Sequence, residues 1–165
     1  MEIVALLASP VHRYEGRPAD GPLPAPGPEL VDEVALRAGL GIVGDRYFGQ
    51  RAHRDSSVTL QSAEALAAVA ADLGVPVPGL SQTRRNVLLR GLEVDALVGR
   101  AFTLDSGSGE VRFAPSRACR PCGWLNVAIA DGAHRAFRDR GGIRTAPLTD
   151  GRLRLGPAVL RTEAT

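Results

Sequence analysis

The sequence predicts a mainly β protein, a β-barrel with a few short helices. Many short apolar segments rich in strand-forming residues are interrupted by glycine and proline, and few segments have helical spacing. The strands do not alternate regularly with helices, which argues against a parallel α/β fold. The 165 residues are 44% hydrophobic and 23% charged, as in ordinary globular proteins. This length predicts a single domain over residues 1–165.

The first strand is predicted over Glu2–Ala8, which is apolar nearly throughout and is expected to be buried on both faces. Prolines and glycines then alternate from about residue 10 to residue 28, so this segment is predicted as a loop, either ordered or a disordered linker. The stretch Asp105–Gly109 predicts a hairpin loop between two later strands. The remaining predicted strands are Val31–Ala38, Ser57–Gln61, Asn86–Leu89, Arg100–Leu104, Glu110–Ala114, Ile143–Leu148, Arg152–Leu155 and Ala158–Arg161.

One clear helix is predicted, from Ser62 to Leu73. Ser62 is a suitable N-cap residue, and Gly74 follows the last turn. Two shorter helical pieces are predicted over Leu125–Ile129 and His134–Arg140. The apolar residues that share one face of the long helix are Ala65, Leu66, Val69, Ala70 and Leu73.

Composition argues against several classes of protein. The formal net charge is only +2 and 4% of residues are aromatic, which disfavours a nucleic-acid-binding module, although all twenty basic residues are arginine. No apolar run approaches the roughly 20 residues of a membrane helix, and the N-terminus lacks the form of a signal peptide. Two cysteines are too few for a disulfide scaffold. A soluble, cytoplasmic protein is therefore expected.

Both cysteines lie in one short stretch that also contains the only tryptophan of the chain, residues 117–126. Arg117 and Arg120 are cationic neighbours of the kind that lower a thiol pKa and so favour the reactive thiolate. Pro121 stiffens the backbone just before Cys122. The Cys119-x-x-Cys122 spacing is shared by redox, zinc and structural sites, and free cysteines also often fill a core.

Neither a zinc site nor a thioredoxin-like dithiol is favoured for this pair. A zinc site would need two further ligands, and the histidines, His12, His53 and His134, are far apart in sequence without metal-ligand spacing. A thioredoxin-like dithiol would require a βαβ setting, which the pattern lacks. No nucleophile elbow indicates serine-based catalysis either.

Two further motifs carry arginine. Gly44-Asp45-Arg46 ends a glycine-rich turn in which Asp45 can cap backbone amides or hold Arg46, although such a tripeptide is also common in ordinary turns. Arg84 and Arg85, followed by Asn86, stand at the entrance of a predicted strand. Paired guanidinium groups suit phosphate, and the alternative is a solvated pair at a strand end.

Taken in order, these motifs resemble the MOSC domain, named for the C-terminal domain of molybdenum-cofactor sulfurases. The ordered set comprises Gly-Asp-Arg, the helix, Arg-Arg-Asn, the hairpin, Pro-Cys, Gly-Gly-Ile and an Asp-Gly turn, and it extends from about Ile3 to Leu160. The resemblance implies a closed β-barrel of the pyruvate-kinase barrel type.

The resemblance also implies molybdenum-cofactor or sulfur chemistry. In relatives that reduce N-hydroxylated compounds, molybdopterin binds in the domain and a cysteine ligates molybdenum. Carried over by motif, Cys122 is the metal ligand, and the cofactor pocket is formed around Asp45, Arg46, Arg84, Arg85 and Asn86. Arg84 and Arg85 would clamp the cofactor phosphate.

Cys119 is a departure from the family pattern and leaves open which thiol works, or whether the two form a disulfide or a persulfide relay. The first hypothesis is a molybdopterin-dependent reductase acting on a small molecule, with a separate redox partner. The alternative is a sulfur carrier in which Cys119 or Cys122 receives a persulfide from a cysteine desulfurase. Pyridoxal phosphate would then be involved only through that partner enzyme. In either case the Pro-rich segment is a candidate lid.

Overall fold

Short β-strands make up most of the regular structure in the computed structural model, which describes residues 1–162. The strands are β1 (Glu2–Leu7), β2 (Leu30–Val31), β3 (Glu33–Arg37), β4 (Gly41–Ile42), β5 (Val58–Ser62), β6 (Val87–Arg90), β7 (Phe102–Asp105), β8 (Val111–Phe113), β9 (Arg117–Ala118), β10 (Ile143–Thr145), β11 (Gly151–Arg154), β12 (Gly156–Pro157) and β13 (Val159–Thr162). The helices are α1 (Ala63–Leu73), α2 (Leu80–Thr83), α3 (Trp124–Ala128) and α4 (Ala133–Ala136), with 3-10 turns at Pro18–Asp20, Arg51–His53 and Val94–Leu97. The prediction of a mainly β chain with a few helices is confirmed.

The prediction of a closed barrel is wrong. The strands of residues 1–162 form three open sheets, of which the largest has the order β12-β1-β6-β5-β10-β9, with β2 also paired to β1. The other two have the orders β11-β3-β4 and β13-β7-β8. No hydrogen-bonded pairing joins the first and last strands of these sheets, so none of them closes.

The division into three sheets has a local physical cause. Several strands are only two residues long, and β12 ends in Pro157, which has no N–H to donate to a further ladder. The large sheet is also mixed, since β5 and β6 pair in parallel and α1 connects them. Short, interrupted strands of this kind resemble a barrel in sequence but cannot propagate one continuous ladder.

The three sheets nevertheless pack around a common hydrophobic core. Leu60 on β5, Leu36 on β3 and Phe102 on β7 belong to one buried cluster. Within it, the rings of Phe102 and Phe113 stack with centroids 5.0 Å apart. Side-chain contacts in this core hold the sheets together. Hydrogen bonds add further links, such as the one that the Thr145 hydroxyl of β10 donates to the Ala114 carbonyl next to β8 (2.7 Å).

Helix α1 confirms the prediction made from its spacing and its caps. The Ser62 hydroxyl accepts a hydrogen bond from the Ala65 amide (3.2 Å), and Gly74 ends the helix in the left-handed conformation with φ of 66°. The buried face of α1 packs against α3 and α4 in a second, smaller cluster. This cluster consists of Leu66, Val69, Leu125, Ala133 and Phe137.

The Pro-rich segment, residues 10–28, is an ordered loop held against α2. Arg13 and Leu23 close it on itself, since the Arg13 Nε donates to the Leu23 carbonyl (2.7 Å) and the Leu23 amide donates to the Arg13 carbonyl (2.8 Å). The Tyr14 hydroxyl donates to the Gln82 carbonyl of α2. None of the helices in residues 1–162 combines the length and the apolar content needed to cross a membrane.

Candidate functional site

A cavity of about 280 Å³ lies where the Pro-rich segment, the Gly-Asp-Arg turn, the end of α2 and the cysteine loop meet. Four of the predicted site residues line it, namely Arg46, Arg84, Arg85 and Cys122. The other three, Asp45, Asn86 and Cys119, are not among its lining residues. The structure thus brings together motifs that are widely separated in sequence.

The cysteine loop is anchored on both sides of Cys122. Before it, β9 pairs with β10, and the Cys119 amide donates to the Gly142 carbonyl (2.8 Å). After it, α3 begins with two buried side chains, Trp124 and Leu125. Between these anchors the Cys122 side chain is exposed and lines the cavity.

The Gly141-Gly142 pair allows the loop to approach the large sheet closely. A Cβ on Gly141 would lie 2.2 Å from the Cys119 carbonyl oxygen, and one on Gly142 would lie 2.1 Å from that of Leu60. Gly142 also has φ of +76°, which disfavours any other residue. The Gly141 carbonyl accepts a hydrogen bond from Arg85 Nε (3.0 Å). The Gly-Gly motif therefore fixes Cys119 and Arg85 relative to one another.

The two cysteines have different environments, and both are free thiols. Cys119 is only 8% exposed, and burial raises the pKa of its thiol. Arg85 and Arg144 oppose this rise, while Asp95 adds to it. Cys122 is exposed to solvent. The Cys122 thiol is therefore accessible to a ligand, whereas burial restricts access to the Cys119 thiol.

Asp45 and Asn86 form a buried network behind the cavity. The Asp45 carboxylate accepts hydrogen bonds from Arg46 Nη1 and from Asn86 Nδ2, both at 3.0 Å. Asn86 Oδ1 accepts from the Thr59 amide (3.0 Å) and hydroxyl (2.8 Å), and its Nδ2 also donates to the Leu7 carbonyl (3.1 Å). All four hydrogen-bonding positions of the Asn86 amide are therefore used within the protein. This network links the Gly-Asp-Arg turn to β1 and β5 and so positions Arg46.

Arg46 and Arg84 line the cavity but are bound by protein groups. Arg46 Nη2 donates to the Arg84 carbonyl (2.8 Å), and its guanidinium lies 4.6 Å from the centre of the Tyr47 ring. Arg84 Nη1 contacts both carboxylate oxygens of Glu29 at 2.8 Å, and Nη2 donates to the Val11 carbonyl (3.0 Å). Arg84 also adopts φ of 59°, and such strained backbone in a non-glycine residue is found preferentially at functional sites.

Glu29 provides the counter-charge to this arginine. Burial alone would raise the pKa of its carboxyl, but hydrogen bonds from Ser9 and Arg84 and the charge of Arg13 outweigh burial and hold the pKa below its ordinary value. Glu29 is therefore ionised at neutral pH. The Arg84–Glu29 pair therefore links the C-cap residue of α2 to the residue that directly follows the Pro-rich segment.

Arg85 and Arg120 are the cavity arginines without a carboxylate partner among residues 1–162. Arg85 is held by two carbonyl oxygens, those of Gly141 and Thr83, each at 3.0 Å. These bonds orient its guanidinium without neutralising it. Arg120 is exposed on the cysteine loop and lines the same cavity. The cavity thus presents two unpaired positive charges beside the Cys122 thiol, which favours an anionic ligand.

One wall of the cavity is aromatic and was not predicted from the sequence. The Tyr14 ring stacks on Trp124 with centroids 5.2 Å apart and planes 5° apart. His12 also lines the cavity, and its Nδ1 has no hydrogen-bond partner among the described residues. Burial lowers the pKa of His12, and the positive charge of Arg46 lowers it further, so the imidazole is neutral near pH 7. Tyr14 and His12 belong to no motif, whereas the lone tryptophan beside the cysteines was a usable signal.

The donor set fits a metal that arrives within an organic cofactor. Within residues 1–162, no three His, Cys, Asp or Glu side chains are placed to hold a metal ion together. Cys122 is the one cysteine among the lining residues of the cavity, so further metal ligands would have to come from the cofactor. An exposed thiol, an aromatic wall and two unpaired arginines match a ligand with a metal, a flat ring system and a phosphate, as in molybdopterin.

Solved structures with the same fold come from several bacteria. The YuaD protein of Bacillus subtilis superimposes with a TM-score of 0.74 at 16% identity, covering 99% of this chain and 96% of that protein. YiiM of Geobacillus stearothermophilus has a TM-score of 0.62 at 17% identity, with 97% and 74% coverage. YiiM of Escherichia coli has a TM-score of 0.59 at 18% identity, with 100% and 72% coverage. At these identities the likeness establishes the fold alone.

Two further comparisons address the family. No curated protein matches the chain. The family model of the MOSC domain matches residues 43–160, which include the Gly-Asp-Arg turn, the Arg-Arg-Asn motif and the cysteine loop. This family model matches most of the length of the chain, and the matched region contains the motifs that meet at the cavity. The chain therefore belongs to the MOSC domain family.

Proposed function

We propose that this protein binds the molybdenum cofactor in the Cys122 cavity and acts as a reductase of N-hydroxylated small molecules. The observation that supports this most directly is the exposed Cys122 thiol, which lines one cavity together with the unpaired Arg85 and Arg120. A thiol at an anion-binding cavity is what a thiolate-ligated, phosphate-bearing cofactor requires. Substrate type and cofactor are inferred from the family.

The cavity residues take distinct roles in this proposal. Cys122 ligates the metal as the thiolate. Arg85 and Arg120 bind anionic groups of the ligand, and Arg85 needs little reorganisation because two carbonyls already orient it. Tyr14 and Trp124 provide a flat apolar surface for a ring system. The buried pair of Asp45 and Asn86 supports this cavity from behind, and their predicted contact with the cofactor stays a prediction.

When bound, the cofactor supplies the two-electron redox chemistry by which an N-hydroxylated compound is reduced to its parent amine and water. The electrons are proposed to come from a separate redox partner. His12 is neutral near pH 7 and lines the cavity, so it can hold or pass a proton there. The Pro-rich segment, which carries His12 and Tyr14, shields this side of the cavity from bulk water.

The test is metal and pterin analysis of protein expressed in a host that makes the molybdenum cofactor. We expect about one molybdenum and one pterin per chain in the wild type, because the cavity provides one cysteine ligand and so holds one cofactor. Cys122→Ser should lose the molybdenum, and Cys119→Ser, the matched control, should retain it. Retention of the metal by Cys122→Ser would contradict the ligand assignment.

A second candidate function is a sulfur carrier. It is favoured by the exposure of Cys122, whose thiol is open to a partner enzyme, and by a second free thiol in the same loop. Protein incubated with cysteine and a pyridoxal-phosphate-dependent desulfurase should then gain one sulfur atom on Cys122. Mass spectrometry that finds unmodified thiols would remove this candidate, and a persulfide in molybdenum-free protein would favour it over the reductase.

A further inference from the structure

A second, smaller recess adjoins the Cys122 cavity. This arginine recess, of about 200 Å³, is lined by Arg85, Arg120 and Arg144 together with Ser56 and Cys119. Arg85 and Arg120 also line the Cys122 cavity, so the two spaces adjoin each other along a shared wall. The recess is predominantly polar, whereas the Cys122 cavity is predominantly apolar. A ligand that fills both would place an anionic group in the recess and the rest of the molecule in the cavity.

Among the described residues, the arginines of the recess are not directly paired with carboxylates. None of its lining residues is acidic. Within residues 1–162 no carboxylate forms an ion pair with Arg85, Arg120 or Arg144. The three arginines therefore lack a directly contacting counter-charge in this part of the chain, although the Asp95 carboxylate acts on Arg85 from beyond ion-pair distance, and a dianion in the recess would be stabilised by them.

Two of the three arginines are held on rigid parts of the fold. Arg144 is the central residue of β10, where it pairs with Thr59 of β5, and its exposed side chain alternates with the buried Ile143 and Thr145. Arg85 is fixed by its hydrogen bonds to the carbonyls of Gly141 and Thr83. The guanidinium of Arg85 is already oriented and loses little conformational entropy when it binds an anion, whereas for Arg144 only the backbone position is fixed.

We propose that the arginine recess is an anion subsite that binds a phosphate-sized dianion attached to a molecule in the Cys122 cavity. Its volume lies below the range of sites for whole drug-sized ligands and suits one charged group with its water. The dianion belongs either to the substrate, which is then a phosphorylated small molecule, or to the cofactor. The assignment of the dianion to substrate or cofactor rests on the function proposed above, whereas the existence of the subsite does not.

The subsite itself is tested on cofactor-free protein with inorganic phosphate, by following the phosphorus-31 NMR line width at constant ionic strength. We expect saturable broadening with the wild type. Arg144→Gln should raise the half-saturating phosphate concentration about tenfold, since one charge-assisted contact is lost. The Arg144 side chain is exposed, so this variant should fold normally. The matched control is Arg135→Gln, an exposed helix residue that removes the same charge and should bind like the wild type.

The subsite would be overturned if Arg144→Gln bound phosphate as tightly as the wild type. It would also be overturned if Arg135→Gln weakened phosphate binding equally, since that would indicate a general charge effect. The source is then found by repeating the titration on cofactor-loaded protein. Broadening that persists and still depends on Arg144 assigns the recess to the substrate, whereas its loss assigns it to the cofactor phosphate. Protein that binds phosphate but never acquires molybdenum would contradict the proposed function and leave the subsite standing.

Discussion

Replacing Asp45 by asparagine should strongly destabilise the protein, because a buried charge network depends on its carboxylate. The Asp45 side chain is fully buried, and that of Arg46 is 5% exposed. Asp45 Oδ2 faces Arg46, Asn86 Nδ2 and the Ser9 amide, while Oδ1 accepts from the Tyr47 amide. An asparagine would turn an NH₂ group towards one or other of these sets of donors and leave Arg46 without its counter-charge.

The expected loss follows from the burial of this pair. Breaking a buried ion pair by removing one charge costs about 3–5 kcal/mol. The unfolding free energy of a domain this size is of order 5–15 kcal/mol, so the loss is a large fraction of it. Urea unfolding followed by Trp124 fluorescence measures it directly. With a slope near 2 kcal/mol per molar urea, the midpoint should fall by about 2 M.

Asp150→Asn is the matched control for this experiment. Asp150 also accepts from an arginine, Arg37 Nη1, and from a backbone amide, that of Ala38, both at 2.8 Å. Its ion pair is more than half exposed, however, so solvent screens it and the loss should be far smaller. Equal losses in Asp45→Asn and Asp150→Asn would refute the inference that the buried network holds the Gly-Asp-Arg turn in place.

Three further predictions concern other parts of the site. Iodoacetamide should modify Cys122 at least about tenfold faster than Cys119, whose thiol pKa burial raises, and peptide mass spectrometry that finds equal rates would contradict this. The pKa of Glu29 is lowered in the folded state, so its contribution to stability is present above pH 4.5 and is lost as the pH falls through the lower folded value. The unfolding temperature of the wild type should therefore fall more steeply below pH 4.5 than that of Glu29→Gln. Parallel plots of unfolding temperature against pH would argue against a stabilising Arg84–Glu29 pair. Gly142→Ala should cost at least about 2 kcal/mol, because its Cβ would lie 2.1 Å from a β5 carbonyl oxygen at φ of +76°, whereas Gly123→Ala, with no atom within 4 Å, should be nearly neutral in urea unfolding.

Several features that depend on neighbouring residues were predicted correctly from the sequence, although the short elements α2, β4 and β9 were not predicted. Helix α1 begins after Ser62 and ends at Gly74 as its spacing and caps indicated, because those signals act over one turn. The hairpin between β7 and β8 is also confirmed, with Asp105 Oδ1 accepting from the Gly107 and Gly109 amides. The order of short motifs was sufficient to identify the MOSC family, which the family model confirms.

Two features that depend on contacts between distant residues were not predicted. Whether short strands close into one ladder depends on which edges meet, and here the edges remain in three open sheets. The role of Arg84 as a phosphate ligand stays a prediction, but the sequence did not indicate that Glu29, 55 residues earlier in the chain, contacts its guanidinium.

The sequence by itself determined the composition of the site: a thiol loop, two arginine motifs and a glycine pair, each defined by adjacent residues. The tertiary structure alone decided how these groups are used. It buries Cys119 and exposes Cys122, and it places Tyr14 against Trp124. It also pairs Arg84 with Glu29, while Arg85 has no carboxylate partner within residues 1–162. The physical reason is that burial and ion pairing depend on which distant segments pack together, and local residue patterns do not specify that packing.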